Sequence, residues 1–215
     1  MSQKYAVATY WTPNFQEMAD LTVPTMGHYC ERHGYELHTV IEETHSGWHK
    51  MRIVLDLLQT GDYAGVLWLD SDALVTNPSS TRLEDLALFG DFVCTSDCFG
   101  ISTGTFLARA TDNAAKLLWA CLCVGDALIR GHQWAEQEAI MRFARFEPYA
   151  SIVKIVPQRL MNSYYSSAYS RPLWPDATWE PGDFILHLPG MGWEDRVRIA
   201  RDVLTLMEER ANVNV

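Results

Sequence analysis

Two aspartates one residue apart, Asp70 and Asp72, follow the most apolar segment of the sequence. That segment, residues 65–70, is short and rich in β-forming side chains, which is typical of a strand buried in a sheet. Side chains at i and i+2 of an extended chain point the same way, so both carboxylates can reach one ion. Oxygen ligands of this kind suit Mg²⁺ or Mn²⁺. The spacing therefore predicts a divalent-metal site; the alternative is a pair of solvated acids in a turn before Asn77 and Pro78.

The segments that must position these acids alternate between strands and helices, which predicts an α/β protein with a mostly parallel central sheet flanked by helices. The predicted strands are residues 4–10, 35–41, 65–70, 91–95, 103–109, 151–156 and 183–188. The predicted helices are residues 15–33, 48–60, 113–126, 133–145 and 194–211, with Pro24 expected to break or kink the first. Residues 161–180 are expected to form a loop. In open α/β sheets, ligands bind outside the carboxyl ends of the strands, where Asp70 and Asp72 are expected.

Composition restricts the function further. The chain has 215 residues, 48% of them hydrophobic, and 17 Lys and Arg against 27 Asp and Glu give a net charge of −10. One domain over residues 1–215 is expected at this length. The acidic balance argues against nucleic-acid and anionic-lipid partners. Five cysteines, an odd number, argue against a disulfide framework, and no segment resembles a signal peptide or membrane anchor. A soluble, cytoplasmic protein is expected.

Residues 66–78 (VLWLDSDALVTNP) resemble the D-x-D signature of GT-A glycosyltransferases, and are most similar to glycosyltransferase family 34, with its fungal galactosyl- and mannosyltransferases and plant xylosyltransferases. Further blocks follow in that family's order. They are Trp48-His-Lys50 for W-x-K, Ile101-Ser-Thr-Gly104 for the N-S-G strand, Glu136-Gln137 for D-Q, Asn162-Ser-Tyr for N-x-Y and His187-Leu-Pro-Gly190 for H-x-x-G. The resemblance spans nearly the whole chain and implies a single-domain, Rossmann-like GT-A fold.

The same resemblance implies transfer of a sugar, with retention, from a nucleotide-diphosphate sugar to a glycan or glycoprotein acceptor. It implies that Asp70, Asp72 and His187 hold a metal that acts as a Lewis acid on the leaving diphosphate. A nitrogen ligand favours Mn²⁺, with Mg²⁺ as the alternative. A UDP-sugar is favoured over a GDP-sugar, because the best-known family members mostly use UDP-sugars.

Roles for other side chains are also implied. Glu136 and Gln137 would face the sugar and are the catalytic candidates, although the family has Asp where Glu136 stands. Lys50 would supply positive charge to the donor, and we expect its loss to leave the melting temperature unchanged. Gly190 would let the backbone approach phosphate closely. The full set of donor-binding candidates is Thr9, Tyr10, Trp11, Lys50, Asp70, Ser71, Asp72, Ser102, Gly104, His187 and Gly190.

Other interpretations stay open. Gly100-Ile-Ser102-Thr-Gly104 matches G-x-S-x-G, and Ser102, Asp183 and His187 follow the chain order of a serine hydrolase, but the segment after Ser102 is predicted as a strand instead of the required helix. A non-catalytic sugar-binding module, or a degenerate GT-A module, would use the many Trp and Tyr side chains. The membrane anchor and stem of eukaryotic relatives are not seen, which suggests a stand-alone bacterial or viral catalytic domain, acting in the host cytoplasm if viral, or a piece of a longer protein.

Overall fold

The computed structural model describes residues 4–128, 134–165 and 177–213. The strands are β1 (Lys4–Trp11), β2 (Glu36–Ile41), β3 (Tyr63–Leu69), β4 (Ala73–Val75), β5 (Phe92–Asp97), β6 (Gly100–Arg109), β7 (Val153–Ile155), β8 (Ser163–Tyr164) and β9 (Ile185–His187). The helices are α1 (Gln16–His33), α2 (Gly47–Gln59), α3 (Leu83–Leu86), α4 (Asp112–Leu128), α5 (Ala135–Phe143), α6 (Tyr149–Ile152) and α7 (Trp193–Val213). Short 3-10 turns lie at Pro13–Phe15 and Gln158–Leu160.

Six strands form the central sheet in the order β2-β1-β3-β6-β5-β7. Five of them run in one direction, and β6 runs against its neighbours β3 and β5. The connection from Asp97 to Gly100 is a tight hairpin, which requires antiparallel strands. The prediction of a mostly parallel sheet flanked by helices is confirmed.

Strand β3 lies inside this sheet with both faces covered. Val66 and Trp68 pack into the cluster formed with α2, α4 and α5, whereas Leu67 and Leu69 pack into the cluster that contains side chains of α1 and α3. Successive side chains of a strand point to opposite faces, so a strand buried on both sides needs a continuous apolar run. The sequence of β3 satisfies that need, and its carboxyl end delivers Asp70 to the sheet edge.

A second sheet of three strands, in the order β4-β9-β8, lies beside the first. Strands β4 and β9 are antiparallel, and their register sets Ala73 opposite His187. Neither β4 nor β8 is among the predicted strands, because segments of two or three residues carry too little periodicity to be recognised. This small sheet carries the chain from Asp72 to the neighbourhood of His187.

Several predicted boundaries are wrong. Helix α1 is not broken at Pro24, because Met18, Met26 and Tyr29 on either side of it are fully buried and tertiary packing offsets the lost hydrogen bond. The predicted strand 151–156 begins in α6, and pairing with β5 is confined to Val153–Ile155. The predicted loop 161–180 contains β8, and its residues 166–176 lie outside the described part. No described helix combines the length and apolarity needed to cross a membrane.

Candidate active site

Asp70, Asp72 and His187 meet at the end of β3. The Asp70 amide donates to Gly104 O (2.8 Å) and the Ala73 amide to Asp70 O (2.9 Å), which forms the turn between β3 and β4. Strand β9 ends at His187, opposite the start of β4. One ligand atom from each of the three side chains lies within 4.8 Å of the other two.

The three donors fit a divalent cation. Two carboxylates and an imidazole are the mixed oxygen and nitrogen set that Mn²⁺ accepts more readily than Mg²⁺. The spacing of the three ligand atoms, all within 4.8 Å of one another, lets them share one ion. Within the part of the chain that the structure describes, this is the one group of three acidic, cysteine or histidine side chains close enough to share an ion.

Asp72 is held between two basic side chains. Its Oδ1 lies 3.2 Å from His187 Nε2, and its Oδ2 lies 3.5 Å from Arg196 Nη1. Burial by itself would raise the pKa of Asp72, but His187 and Arg196 outweigh it and hold the pKa far below its ordinary value. Asp72 is therefore a carboxylate at neutral pH. Sequence reasoning missed Arg196, which follows no motif and lies in a helix with many other arginines.

Lys50 is buried, with 5% of its surface exposed. Its Nζ lies 2.8 Å from Asp70 Oδ1 and 3.4 Å from Glu136 Oε1, and it donates to Thr103 O at 3.2 Å. Burial favours the neutral amine, but the two carboxylates outweigh this effect and raise the pKa of Lys50 above its ordinary value. The expectation that losing Lys50 leaves the melting temperature unchanged is therefore corrected, because two carboxylates would lose their counter-charge.

Glu136 reaches this ion pair from α5. Its Oε1 also accepts a hydrogen bond from Thr103 Oγ1 (3.2 Å). A Cβ atom at Gly47, the first residue of α2, would overlap the Glu136 carboxylate. The longer arm of Glu, where the resembling family has Asp, therefore fits because position 47 has no side chain.

Two adjoining cavities open on the cluster. The larger, of about 630 Å³, is lined by Tyr10, Trp11, Lys50, Asp70, Ser71, Asp72, Glu136, His187, Gly190 and Arg196, among others. The smaller, of about 400 Å³, shares Lys50, Asp70, Glu136, His187 and Gly190 and adds Asp97, Phe99, Ser102, Gly104, Gln137 and Tyr164, among others. The structure thus brings together every predicted site residue except Thr9, which is buried in β1 and lines neither cavity.

Two glycines shape this wall. A Cβ at Gly104 would overlap the His187 ring and come within 2.9 Å of its Nδ1, so the absence of a side chain at Gly104 makes room for the imidazole. Gly190 has a φ of 68°, in the left-handed region that glycine adopts without strain. It lines both cavities.

Ser102 does not have the surroundings of a hydrolase nucleophile. It lies within β6, two residues after the hairpin, whereas a nucleophile elbow joins a strand to a helix. Its hydroxyl contacts Tyr164 and Asn162, and the ring of His187 contacts Asp72 and Asn162. Asp183 is paired with Arg159. The serine-hydrolase interpretation is therefore not supported.

Comparisons with known proteins show the family and the fold. The model of the galactosyl transferase GMA12/MNN10 family matches residues 15–90 and 90–197. A comparison with curated protein sequences gave no match.

Solved structures share the fold at low sequence identity. A glycosyltransferase involved in glycosylation of the major capsid of PBCV-1 is similar with a TM-score of 0.73 and 15% identity, over 92% of this chain and 98% of that one. GlyE of Streptococcus pneumoniae TIGR4 gives a TM-score of 0.59 and 12% identity, over 99% of this chain and 64% of that one. The galactosyltransferase LgtC, solved with donor and acceptor sugar analogues, gives 0.51 and 11%, over 95% of each chain. These likenesses show a GT-A fold.

Proposed function

Because the chain belongs to the galactosyl transferase GMA12/MNN10 family, we propose that it is a metal-dependent glycosyltransferase. It moves a sugar from a nucleotide-diphosphate sugar, favoured as a UDP-sugar, to a glycan or glycoprotein acceptor with retention of configuration. The proposal takes residues 1–215 as one catalytic domain that acts in the cytoplasm. The observation that carries it is the cluster of Asp70, Asp72 and His187, at the point where the two cavities meet.

The larger cavity suits the donor. Tyr10, Trp11 and Phe15 give it an aromatic wall for the base, and the three ligands lie on the same cavity. A bound Mn²⁺ or Mg²⁺ would stabilise the negative charge that develops on the leaving diphosphate. The chain supplies further positive charge from Lys50 and Arg196, each next to one of the carboxylate ligands. Lys50 and Arg196 are already paired with carboxylates, so in a molecule with a net charge of −10 the bound divalent cation would supply the positive charge that attracts an anionic donor.

The smaller cavity suits the transferred sugar and the acceptor. Gln137, Ser102 and Gly104 line it next to the metal ligands, and Phe99 and Trp134 form an aromatic pair with ring centres 4.8 Å apart. Aromatic faces pack against the apolar faces of sugar rings. The solved LgtC complex, with its donor and acceptor sugar analogues, supports a site for two substrates in this fold.

Retention of configuration rests on the family resemblance. Apart from the metal ligands, Glu136 is the carboxylate that lines both cavities, and it contacts Lys50 and Thr103. These contacts favour a role in orienting the substrate over attack on the sugar. Retention then follows from same-face attack by the acceptor, as the family resemblance implies. The anomeric configuration of the product, read by NMR, tests this point.

The deciding experiment incubates the protein with a panel of nucleotide sugars and Mn²⁺ and measures release of nucleoside diphosphate. We expect turnover that EDTA abolishes and that the substitution Asp72→Ala lowers at least ~10²-fold, since one ligand is lost. Full activity in EDTA would reject the metal. Donor binding without turnover, with any acceptor, would favour the non-catalytic sugar-binding module.

A further inference from the structure

A buried chain of hydrogen bonds connects His187 to the far side of the smaller cavity. His187 Nδ1 lies 2.9 Å from Asn162 Oδ1, and Asn162 Nδ2 donates to Ser102 Oγ at 3.1 Å. Ser102 Oγ lies 3.2 Å from the hydroxyl of Tyr164, which donates to Asp97 Oδ2 at 2.8 Å. Asn162, Ser102, Tyr164 and His187 are all at most 3% exposed. These four side chains are therefore largely shielded from bulk solvent.

The direction of each hydrogen bond follows from the carboxylate at the end of the chain. The phenol of Tyr164 donates its one proton to Asp97 Oδ2, so toward its other neighbours the phenol oxygen can only accept. Ser102 must then donate to Tyr164 and accept from Asn162.

The amide of Asn162 is oriented by this sequence of donors. Its Nδ2 donates to the hydroxyl of Ser102 and also to Thr95 Oγ1, at 2.9 Å. Its Oδ1 is therefore the atom that faces His187 Nδ1, and an amide oxygen accepts and cannot donate. The proton of that contact lies on Nδ1 of the imidazole.

We propose that Asn162, Ser102, Tyr164 and Asp97 are positioning residues that keep a proton on His187 Nδ1, so that Nε2 is the nitrogen presented to the metal beside Asp72. The inference deepens the proposed function and rests on it, since metal binding at His187 is part of that function. A hydrogen bond on the second ring nitrogen sets which nitrogen binds metal and how the ring is oriented.

The test measures Mn²⁺ affinity directly, by the EPR signal of free Mn²⁺ during titration of the purified protein with the metal alone. Asn162→Leu keeps the size of the side chain and removes the acceptor, and we expect Mn²⁺ binding to weaken about 10- to 100-fold. Asn162→Asp retains an acceptor for Nδ1–H, and we expect affinity within about threefold of the original, as in the carboxylate–histidine–metal arrangement.

Two further variants distinguish the direction of the hydrogen bonds from a general loss of packing as the cause of weaker Mn²⁺ binding. Tyr164→Phe frees the Ser102 hydroxyl to donate to Asn162, which allows the Asn162 amide to rotate by 180° and present its nitrogen to His187. We expect Mn²⁺ affinity to fall several-fold. Thr105→Val is the matched control, because it deletes another fully buried hydrogen bond, to Met161 O at 2.9 Å, that is not joined to His187. Its Mn²⁺ affinity should be unchanged.

A second readout identifies the nitrogen. With Zn²⁺ as a diamagnetic probe, the ¹⁵N shifts of His187 should show a protonated Nδ1 and a metal-bound Nε2. A metal-bound Nδ1, or an Asn162→Leu protein that binds Mn²⁺ as tightly as the original, overturns this inference and leaves the proposed function standing. An original protein that binds no Mn²⁺ overturns both.

Discussion

The His187 ring occupies space that a side chain at Gly104 would fill. We predict that Gly104→Ala displaces the imidazole and weakens Mn²⁺ binding at least ~10-fold, as the loss of ligand geometry does in other metal sites. Metal titration by EPR measures the change. Gly27→Ala is the control, since its Cβ would lie 3.8 Å from Leu37 in ordinary contact and alanine suits the interior of α1. Unaltered Mn²⁺ affinity in the Gly104 variant would contradict the prediction.

Lys50 offers a stability test at the same scale. Lys50→Met keeps most of the aliphatic stem but strips Asp70 and Glu136 of their buried counter-charge. We expect the free energy of unfolding to fall by about 3 kcal/mol or more, which for a domain of this size lowers the melting temperature by roughly 6–12 °C. Lys4→Met, which removes an exposed ion pair with Glu36, should leave the melting temperature almost unchanged. Scanning calorimetry on both variants measures the two changes in melting temperature.

The pKa of Lys50 also determines how the difference in unfolding free energy between the original protein and Lys50→Met depends on pH. Because folding raises the pKa of Lys50, its contribution to stability is complete below the unfolded pKa of about 10.4 and is lost as pH rises through the folded value. The gap in unfolding free energy between the original protein and Lys50→Met should therefore be the same at pH 7 and pH 9. A gap that narrows over this window would show that the amine is already losing its proton.

Among the elements, the contact between the start of α2 and α5 decides where the Glu136 carboxylate lies. We predict that Gly47→Ala pushes this carboxylate away from Lys50 and Thr103 and lowers turnover about 10-fold or more, as small misplacements in active sites do. Adding Glu136→Asp, which shortens the arm by one methylene, should restore part of the loss. The measurement is kcat for both variants and for Glu136→Asp alone.

The double variant distinguishes crowding from a loss of helix stability. If Gly47→Ala is harmful only because it alters the first turn of α2, shortening Glu136 cannot help, and the two effects will add. A double variant that is no more active than Gly47→Ala would thus refute the packing explanation. Thermal melting of the same proteins shows whether the helix itself is disturbed.

At the level of the whole molecule, the shape of the donor cavity leads to a prediction about which nucleotide it binds. We expect UDP with Mn²⁺ to stabilise the protein more than GDP, since the end of β1 supplies one aromatic wall, which suits a pyrimidine, and a family resemblance points to UDP-sugars. A ligand at ~100 times its Kd adds ~2.7 kcal/mol, or roughly 5–11 °C in melting temperature for this chain length. Stabilisation by GDP and not by UDP would overturn the donor prediction while leaving the metal site intact.

The small sheet of β4, β9 and β8 brings together segments that are far apart in the sequence. Asp72 and His187 are 115 residues apart in sequence and 3.2 Å apart in the fold. Trp193 and Arg196 of α7 contact Phe15, just before α1, so the closing helix also completes the wall of the larger cavity. The site is therefore a property of the complete described fold and not of one segment.

The sequence by itself determined the features that depend on neighbours along the chain. The continuous apolar run of β3 predicts a strand buried on both faces, and the two acids after it predict an ion site at its end. The alternation of strands and helices predicts the α/β class, and the ordered motifs place His187 and Glu136 at the same edge. Local periodicity and spacing are sufficient for the strand, the two acids and the α/β class, because these depend on neighbours along the chain, whereas the places of His187 and Glu136 follow only from the family resemblance.

Tertiary structure alone decided the features that depend on which distant segments meet. Lys50 lies in an ordinary amphipathic helix, and only contact with β6 and α5 makes it a buried counter-charge. Arg196 follows no motif, and the motifs that contain Ser102, Asn162, Tyr164 and His187 do not show that these side chains form one chain of hydrogen bonds, because their partners lie on other elements. Thr9 is close in sequence to Tyr10 and Trp11 and yet is buried in the sheet, outside both cavities. Burial and charge pairing are set by elements far apart in sequence, so no local pattern could specify them.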